Sequence, residues 1–278
     1  MANDAMRHHW TTLTGPSWVE HAELYDRMLS AISDQVLASL TFAPGDRVLD
    51  VGCGTGTFSA AVASLGADVV GADISITMVD EARRRHAGAG FVVADAQVDE
   101  LPGPFDQVVS RFGVMFFEDP VAAFANLRRA ARPGARLTFV CWRGLAENPT
   151  MSVGSRRLIE AAPVPPPAFD PLAPGPLAFA DPDRIRAVLA GGGWNGVEVA
   201  RLDAVNRFDL EGSDGVEERL AIVMGSDGGR RFLEQVPEDQ REAGLCAARA
   251  DIESFLVQHP DGARVELAAA CWLVTATN

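Results

Sequence analysis

Residues 47–58 read RVLDVGCGTGTF, and the fold follows from this stretch. Val48, Leu49 and Val51 form an apolar, β-rich run of the kind that makes a buried strand. Gly52, Gly54 and Gly56 then punctuate it, and a helical pattern runs from Thr57 to Leu65. A strand, a glycine turn and a helix, in that order, open a doubly wound α/β domain of the nucleotide-binding kind. Glycine suits the turn because a positive φ costs it little and no Cβ blocks a ligand's approach to the backbone.

The spacing separates two kinds of ligand. A dinucleotide fingerprint, G-x-G-x-x-G, would place glycine or alanine at position 57, where this chain has Thr57; its third glycine is Gly56. Asp50, two places before the first glycine, is a poor neighbour for a pyrophosphate and a good one for an ammonium group. Here the chain resembles the class I S-adenosylmethionine-dependent methyltransferases, whose first motif reads (V/L)LD(V/I)GCGTG. The nine residues from Val48 to Gly56 follow it without a break. The resemblance implies a Rossmann-like sheet of seven strands with strand seven antiparallel. It also implies S-adenosyl-L-methionine as cofactor, S-adenosyl-L-homocysteine as product, and Asp50, Gly52, Cys53, Gly54 and Gly56 at the cofactor.

Composition narrows the partners. Lys and Arg total 24 against 38 Asp and Glu, a formal net charge of −14. Such a surface repels phosphate backbones and excludes nucleic acid as the expected methyl acceptor. The arginine clusters at 83–85 and 128–132 fall late in predicted helices, where cations suit the helix dipole, and read as solvated faces. No apolar run is long enough to span a bilayer, and MANDAMRHHWTT lacks the apolar core of an export signal. Cys53, Cys141, Cys246 and Cys271 form no C-x-x-C pair, which fits reduced thiols in the cytoplasm. The expected partner is a small-molecule acceptor, and the expected state is monomer or homodimer.

Leu24, Met28, Ile32, Val36 and Leu40 recur every four residues, predicting an amphipathic helix with a break near Ser30. By resemblance, such N-terminal helices fold over the cofactor, which draws in Trp18, His21 and Tyr25. The Tyr25 hydroxyl is a candidate contact to the cofactor carboxylate or the acceptor; its alternative is a ring packed on the core. Asp68–Asp73 reads as the second strand and ends in an acid 21 positions beyond Gly52. A carboxylate there can accept from both ribose hydroxyls. The resemblance assigns Asp73 that task, with Ile74 and Met78 beside it, and Ser75 reads as the next helix's N-cap.

Phe91–Ala94 is the third predicted strand. By resemblance, Asp95 behind it faces the adenine amino group and the Ala96 N–H meets a ring nitrogen; as residues alone, Asp95 can equally cap a turn. Phe105–Ser110 is the fourth strand; by resemblance, Ser110 and Arg111 at its end lie beside the expected methyl group, with Phe112, Met115, Phe116 and Phe117 as an apolar wall. Asp119 and Pro120 start the next helix, and RPGAR (132–136) turns into strand five, LTFVCW.

Beyond Arg143 the motifs fade. The chain divides as an N-terminal helical cover (1–42), a cofactor-binding core (43–143), a proline-rich cover loop (144–180) and a C-terminal half (181–278), together one methyltransferase domain. Val197–Phe208 and Val265–Thr277 read as strands six and seven, separated by a helical insertion at about 209–262. Gly215–Met224 and Pro237–Val257 carry its helical character, and Met224 joins Trp18, Met115 and Phe116 as expected pocket residues.

Methyl transfer needs a general base only if the acceptor arrives protonated. Of His8, His9, His21, His86 and His259, position favours His21 as the catalytic candidate. No ligand spacing for a metal is present. The reading is methyl transfer to a small, apolar or aromatic acceptor at O, N or C, with a pattern similar to the menaquinone and ubiquinone methyltransferases. One alternative is an NAD(P)-dependent oxidoreductase, disfavoured by Thr57 and by the lack of a Tyr-x-x-x-Lys motif. The other is a protein of the same fold with non-methylating chemistry.

Overall fold

The computed structural model describes residues 3–278. Three helices precede the sheet: α1 (Asp4–His8), α2 (Gly15–Glu20) and α3 (Ala22–Ser39), with a π-helical turn, His9–Leu13, between the first two. The sheet strands are β1 (Arg47–Val51), β2 (Asp68–Asp73), β3 (Gly90–Val93), β4 (Phe105–Arg111), β5 (Ala131–Trp142), β6 (Asn195–Arg207), β7 (Leu256–His259) and β8 (Gly262–Thr277). The crossover helices are α4 (Thr57–Ser64), α5 (Ile76–Arg85), α6 (Pro120–Ala130) and α9 (Pro182–Gly191), preceded by the short α7 (Pro149–Ser152) and α8 (Ser155–Ala161). Between β6 and β7 lie α10 (Val216–Gly225), α11 (Asp227–Gln235) and α12 (Arg241–Glu253).

The strand order is β3-β2-β1-β4-β5-β8-β6, with β7 pairing only with β8. The first five strands pair in parallel, and β8 runs antiparallel between β5 and β6. The order reverses between β1 and β4, a switch point where helices diverge and leave a crevice at the strands' carboxyl ends. The in-register pairing of β1, β2 and β3 brings Asp50, Asp73 and Asp95 to that one edge. Every side chain of β1 beyond Arg47 is buried, as a parallel strand covered on both faces requires.

Four expectations are corrected. Helix α3 runs unbroken through Ser30, whose hydroxyl donates to the Arg27 carbonyl within the helix and leaves the backbone ladder intact. Strand β5 begins at Ala131: Phe105 pairs with Ala131 and Gln107 with Arg136, so the intervening residues 132–135 bulge out of the strand instead of preceding it. Leu256–His259, expected to be partly helical, is a strand in a hairpin with the start of β8. Arg85, in a cluster read as solvated, is mostly buried: its guanidinium donates to Asp26 (2.8 Å) and Thr57 (3.1 Å), tying α5 to α3.

Residues 149–161 also do more than cover. Helices α8, α10, α11 and α12 pack on one another, so the segment after β5 and the insertion before β7 form one helical cap. A single apolar cluster runs from α3 through the sheet into this cap, including Ile32, Leu49, Phe139, Val223 and Ile252.

Candidate functional site

The site grows from the turn after β1. Gly52, Gly54 and Gly56 adopt φ of 68°, 55° and 86°, the left-handed region that side chains avoid. At Gly52 a Cβ would also sit 2.6 Å from the Gly113 Cα, so the turn and the segment after β4 touch backbone to backbone. Ser110 clasps this contact: its hydroxyl donates to the Val51 carbonyl (2.7 Å) and accepts from the Gly113 N–H (3.1 Å).

Above the turn lies a cavity of about 820 Å³, within the range of small-molecule sites. Asp50, Asp73 and Asp95 all line it. Asp50 is almost wholly buried; one carboxylate oxygen accepts from Ser59 at 2.5 Å and the other has no partner. Burial pushes its pKa up to about 6, against the Ser59 hydrogen bond and the Arg111 charge. Asp73 accepts from the Gly54 N–H and the Ser75 N–H, both at 2.9 Å; burial raises its pKa and these backbone bonds oppose the rise. Asp95 accepts from the Asn3 side-chain amide (2.8 Å) and the Gln97 N–H (3.0 Å) on one oxygen. Its second oxygen is buried without a hydrogen bond among the described residues, 4.0 Å from the Arg7 guanidinium.

The walls are aromatic. Trp18 stacks on Tyr25 with ring centroids 3.8 Å apart, and Trp10 meets Phe116 edge-on at 4.9 Å. Phe112 stacks on Trp142 at 4.4 Å. Burial raises the Tyr25 pKa, so its hydroxyl keeps its proton. The cover is pinned to the wall by a bond from the Gly175 N–H to the Met115 carbonyl (3.0 Å). Arg111 lines the same space, donating to the Ser33 hydroxyl at 2.8 Å with its charge 5.7 Å from the Phe58 ring.

Most of the residues expected from sequence do line this cavity: Gly52, Cys53, Gly54, Ile74, Met78, Ala96, Arg111, Tyr25, Trp18, Met115 and Phe116, with the three acids. Four do not. Gly56 faces Phe91, Ala82 and His86, where a Cβ would not fit. Ser110 spends its hydroxyl on the clasp, and His21 ends α2, outside the lining. Met224 is displaced by its helix neighbours Ile222, Val223 and Gly225, because helical spacing turns it to another face. The lining also holds residues that the sequence did not single out, Trp10, Trp142 and Arg219 among them, and His9, which the sequence offered as a candidate base but set below His21. His9 exchanges a hydrogen bond with Thr14 (3.1 Å), and burial lowers its pKa, keeping the ring neutral. Arg219 carries a readable signal, a lone cation within the apolar stripe of α10.

The carboxylate oxygens, as hydrogen-bond acceptors, fit an adenosyl amino acid, whose ammonium, hydroxyl and amino groups donate. One carboxylate oxygen of Asp50 and one of Asp95 are buried without a partner among the described residues, which leaves room for hydrogen-bond donors from a ligand. At Gly54 a Cβ would meet only Met78, at 3.6 Å, leaving the backbone open to a ligand.

A methyltransferase-domain family profile matches residues 49–139. A demethylmenaquinone methyltransferase of Renibacterium salmoninarum is 32% identical over 191 residues, covering 64% of this chain and 80% of that protein. One of Beutenbergia cavernae is 34% identical over 174 residues, covering 60% of this chain and 72% of that protein. In fold, the chain is similar to the YcgJ protein of Bacillus subtilis, with a TM-score of 0.55 at 14% identity, covering 88% of this chain and 97% of that one. The chain belongs to the class I S-adenosylmethionine-dependent methyltransferases. Within that class it is an enzyme of the small-molecule type, similar to the menaquinone methyltransferases. Among the described residues no helix is long and apolar enough to cross a membrane.

Proposed function

We propose that this enzyme methylates an apolar aromatic acceptor bearing a hydroxyl, of the phenol or hydroquinone type. The observation that carries the reading is the aromatic-walled cavity, continuous from the three strand-end acids to Trp18, Tyr25 and the cap. The names of the relatives support a quinone-like acceptor. When bound, S-adenosylmethionine supplies an electrophilic methyl group on a sulfonium.

The chain's own residues then do the rest. Asp50 holds the ammonium group, Asp73 the ribose hydroxyls and Asp95 the adenine amino group, each through a carboxylate that the sheet fixes at one edge. The aromatic walls align the acceptor and exclude water; orientation of this kind can supply on the order of 7–11 kcal/mol. His9, neutral and in the cavity, takes the role first given to His21 and accepts the acceptor's proton at a ring nitrogen. We further propose one methyltransferase domain, monomeric or homodimeric, working in the cytoplasm, where its four free thiols stay reduced.

The test is turnover of S-adenosylmethionine with a panel of reduced naphthoquinones, phenols and aliphatic amines, read by mass spectrometry for a methylated product. Methylation of the aromatic hydroxyl compounds is expected. Methylation confined to the amines would overturn the acceptor class.

A further inference from the structure

Arg219 is an unusual cation. The chain has no lysine, so each of its 24 basic groups is a guanidinium, and most sit exposed or paired with a carboxylate. Arg219, on the inner face of α10, is only 3% exposed and has no carboxylate within 4.0 Å among the described residues. One Nη donates to the Val153 carbonyl (2.8 Å), and the guanidinium lies 5.3 Å from the Phe208 ring centroid. Its Nε is buried with no hydrogen-bond partner among the described residues. Burial lowers its pKa to about 10, which still leaves it charged at neutral pH.

Its surroundings do not neutralise it. The charged and titratable groups that face it are Tyr25 from α3 and Asp251 from α12. Asp251 is already committed to Arg156 and to the Gly154 N–H (2.8 Å), and Tyr25 keeps its proton. A buried charge without a counter-ion destabilises a fold unless something else supplies the opposite sign. Arg219 lines the cavity together with Tyr25 and Thr150.

Resting on the assignment of this cavity to the acceptor, we propose that Arg219 is an anion receptor, selecting acceptors that carry an ionised or ionisable oxygen, a phenolate, enolate or carboxylate. A phenolic oxygen beside the guanidinium ionises more readily, which favours the nucleophilic form of the acceptor. The site then discriminates by charge at Arg219 and by apolar fit along the walls.

The experiment is calorimetric titration of the full chain, saturated with S-adenosylhomocysteine, with 2-naphthoate and with its neutral analogue 2-naphthamide. The wild-type protein is expected to prefer the naphthoate by about tenfold or more. Arg219→Met should lose that preference while still binding the amide, and Arg219→Lys should keep part of it. The melting temperature of ligand-free Arg219→Met should not fall, because an unpaired buried charge has been removed; a purely structural arginine would show a large drop and an unchanged preference. Equal binding of the two probes by the wild-type protein overturns the anion receptor and leaves the acceptor cavity standing, and this holds even if the variant fails to fold. Binding of neither probe overturns both.

Discussion

Asp50→Asn tests the link between a buried carboxylate and the cofactor. The displacement of its pKa from 3.8 to about 6 corresponds to about 3 kcal/mol of folded-state destabilisation once the group is ionised. Because the folded-state pKa lies above the unfolded one, the penalty is absent below about pH 4. It grows as pH rises and is complete above about 6. At pH 7.5 the ligand-free Asp50→Asn protein should therefore be more stable than wild type by up to about 3 kcal/mol, and the two should converge near pH 4. Binding runs the other way. Only the ionised carboxylate holds an ammonium group, so wild-type affinity for S-adenosylhomocysteine should fall about tenfold between pH 7 and pH 5. The variant should bind weakly with a flatter pH profile, any residual slope reflecting Asp73, whose pKa is also raised. Calorimetry across that range, with thermal melts alongside, measures both effects. A flat wild-type binding curve, or a variant curve parallel to it, would refute the assignment of the ammonium group to Asp50.

Further outcomes follow from the same geometry. Asp73→Ala should weaken S-adenosylhomocysteine binding at least tenfold and also lower the ligand-free melting temperature, because two charge-assisted bonds to the Gly54 and Ser75 amides are lost, each worth about 1.5–3 kcal/mol; an unmoved melting temperature counts against those bonds. Gly52→Ala should be expressed poorly or melt early, since its Cβ would meet Gly113 at 2.6 Å with φ at 68°, and a wild-type melting curve would contradict the backbone contact. His9→Ala should lower kcat on a phenolic acceptor by about 100-fold or more, the usual scale of general-base catalysis, while His21→Ala leaves it unchanged. The reverse result would return the base to His21. Trp18→Ala removes a ring stacked at 3.8 Å on Tyr25 and should raise KM for the acceptor more than it weakens the cofactor, as steady-state kinetics would show.

The cofactor half of this protein was legible in the sequence because its determinants are local. A strand, three left-handed glycines and a helix must be contiguous, so RVLDVGCGTGTF announces them without reference to the rest of the chain. Asp73 and Asp95 follow for a related reason: parallel strands in register end at one edge, so an acid at each strand end lands on the same cavity. Thr57, which argued against a dinucleotide, proves to be a structural tie, its hydroxyl donating to Asp26 of α3 at 2.9 Å.

What only the tertiary structure decided lies in the contacts between distant segments. Which face of α10 looks inward depends on how α8, α11 and α12 pack around it, so Arg219 and Val223 enter the cavity and Met224 does not. His9 rather than His21 reaches the site because a π-helical turn, which no sequence period predicts, folds the N-terminal segment back over the strand ends. Ser110 sits where the sequence placed it, yet its hydroxyl is consumed by backbone groups that only the close approach of two glycines brings within reach. The methyl donor's first motif is written in one stretch of chain. The rest of the cavity is lined from the N-terminal helices, the cover and the cap, and its shape and charge exist only once they have met.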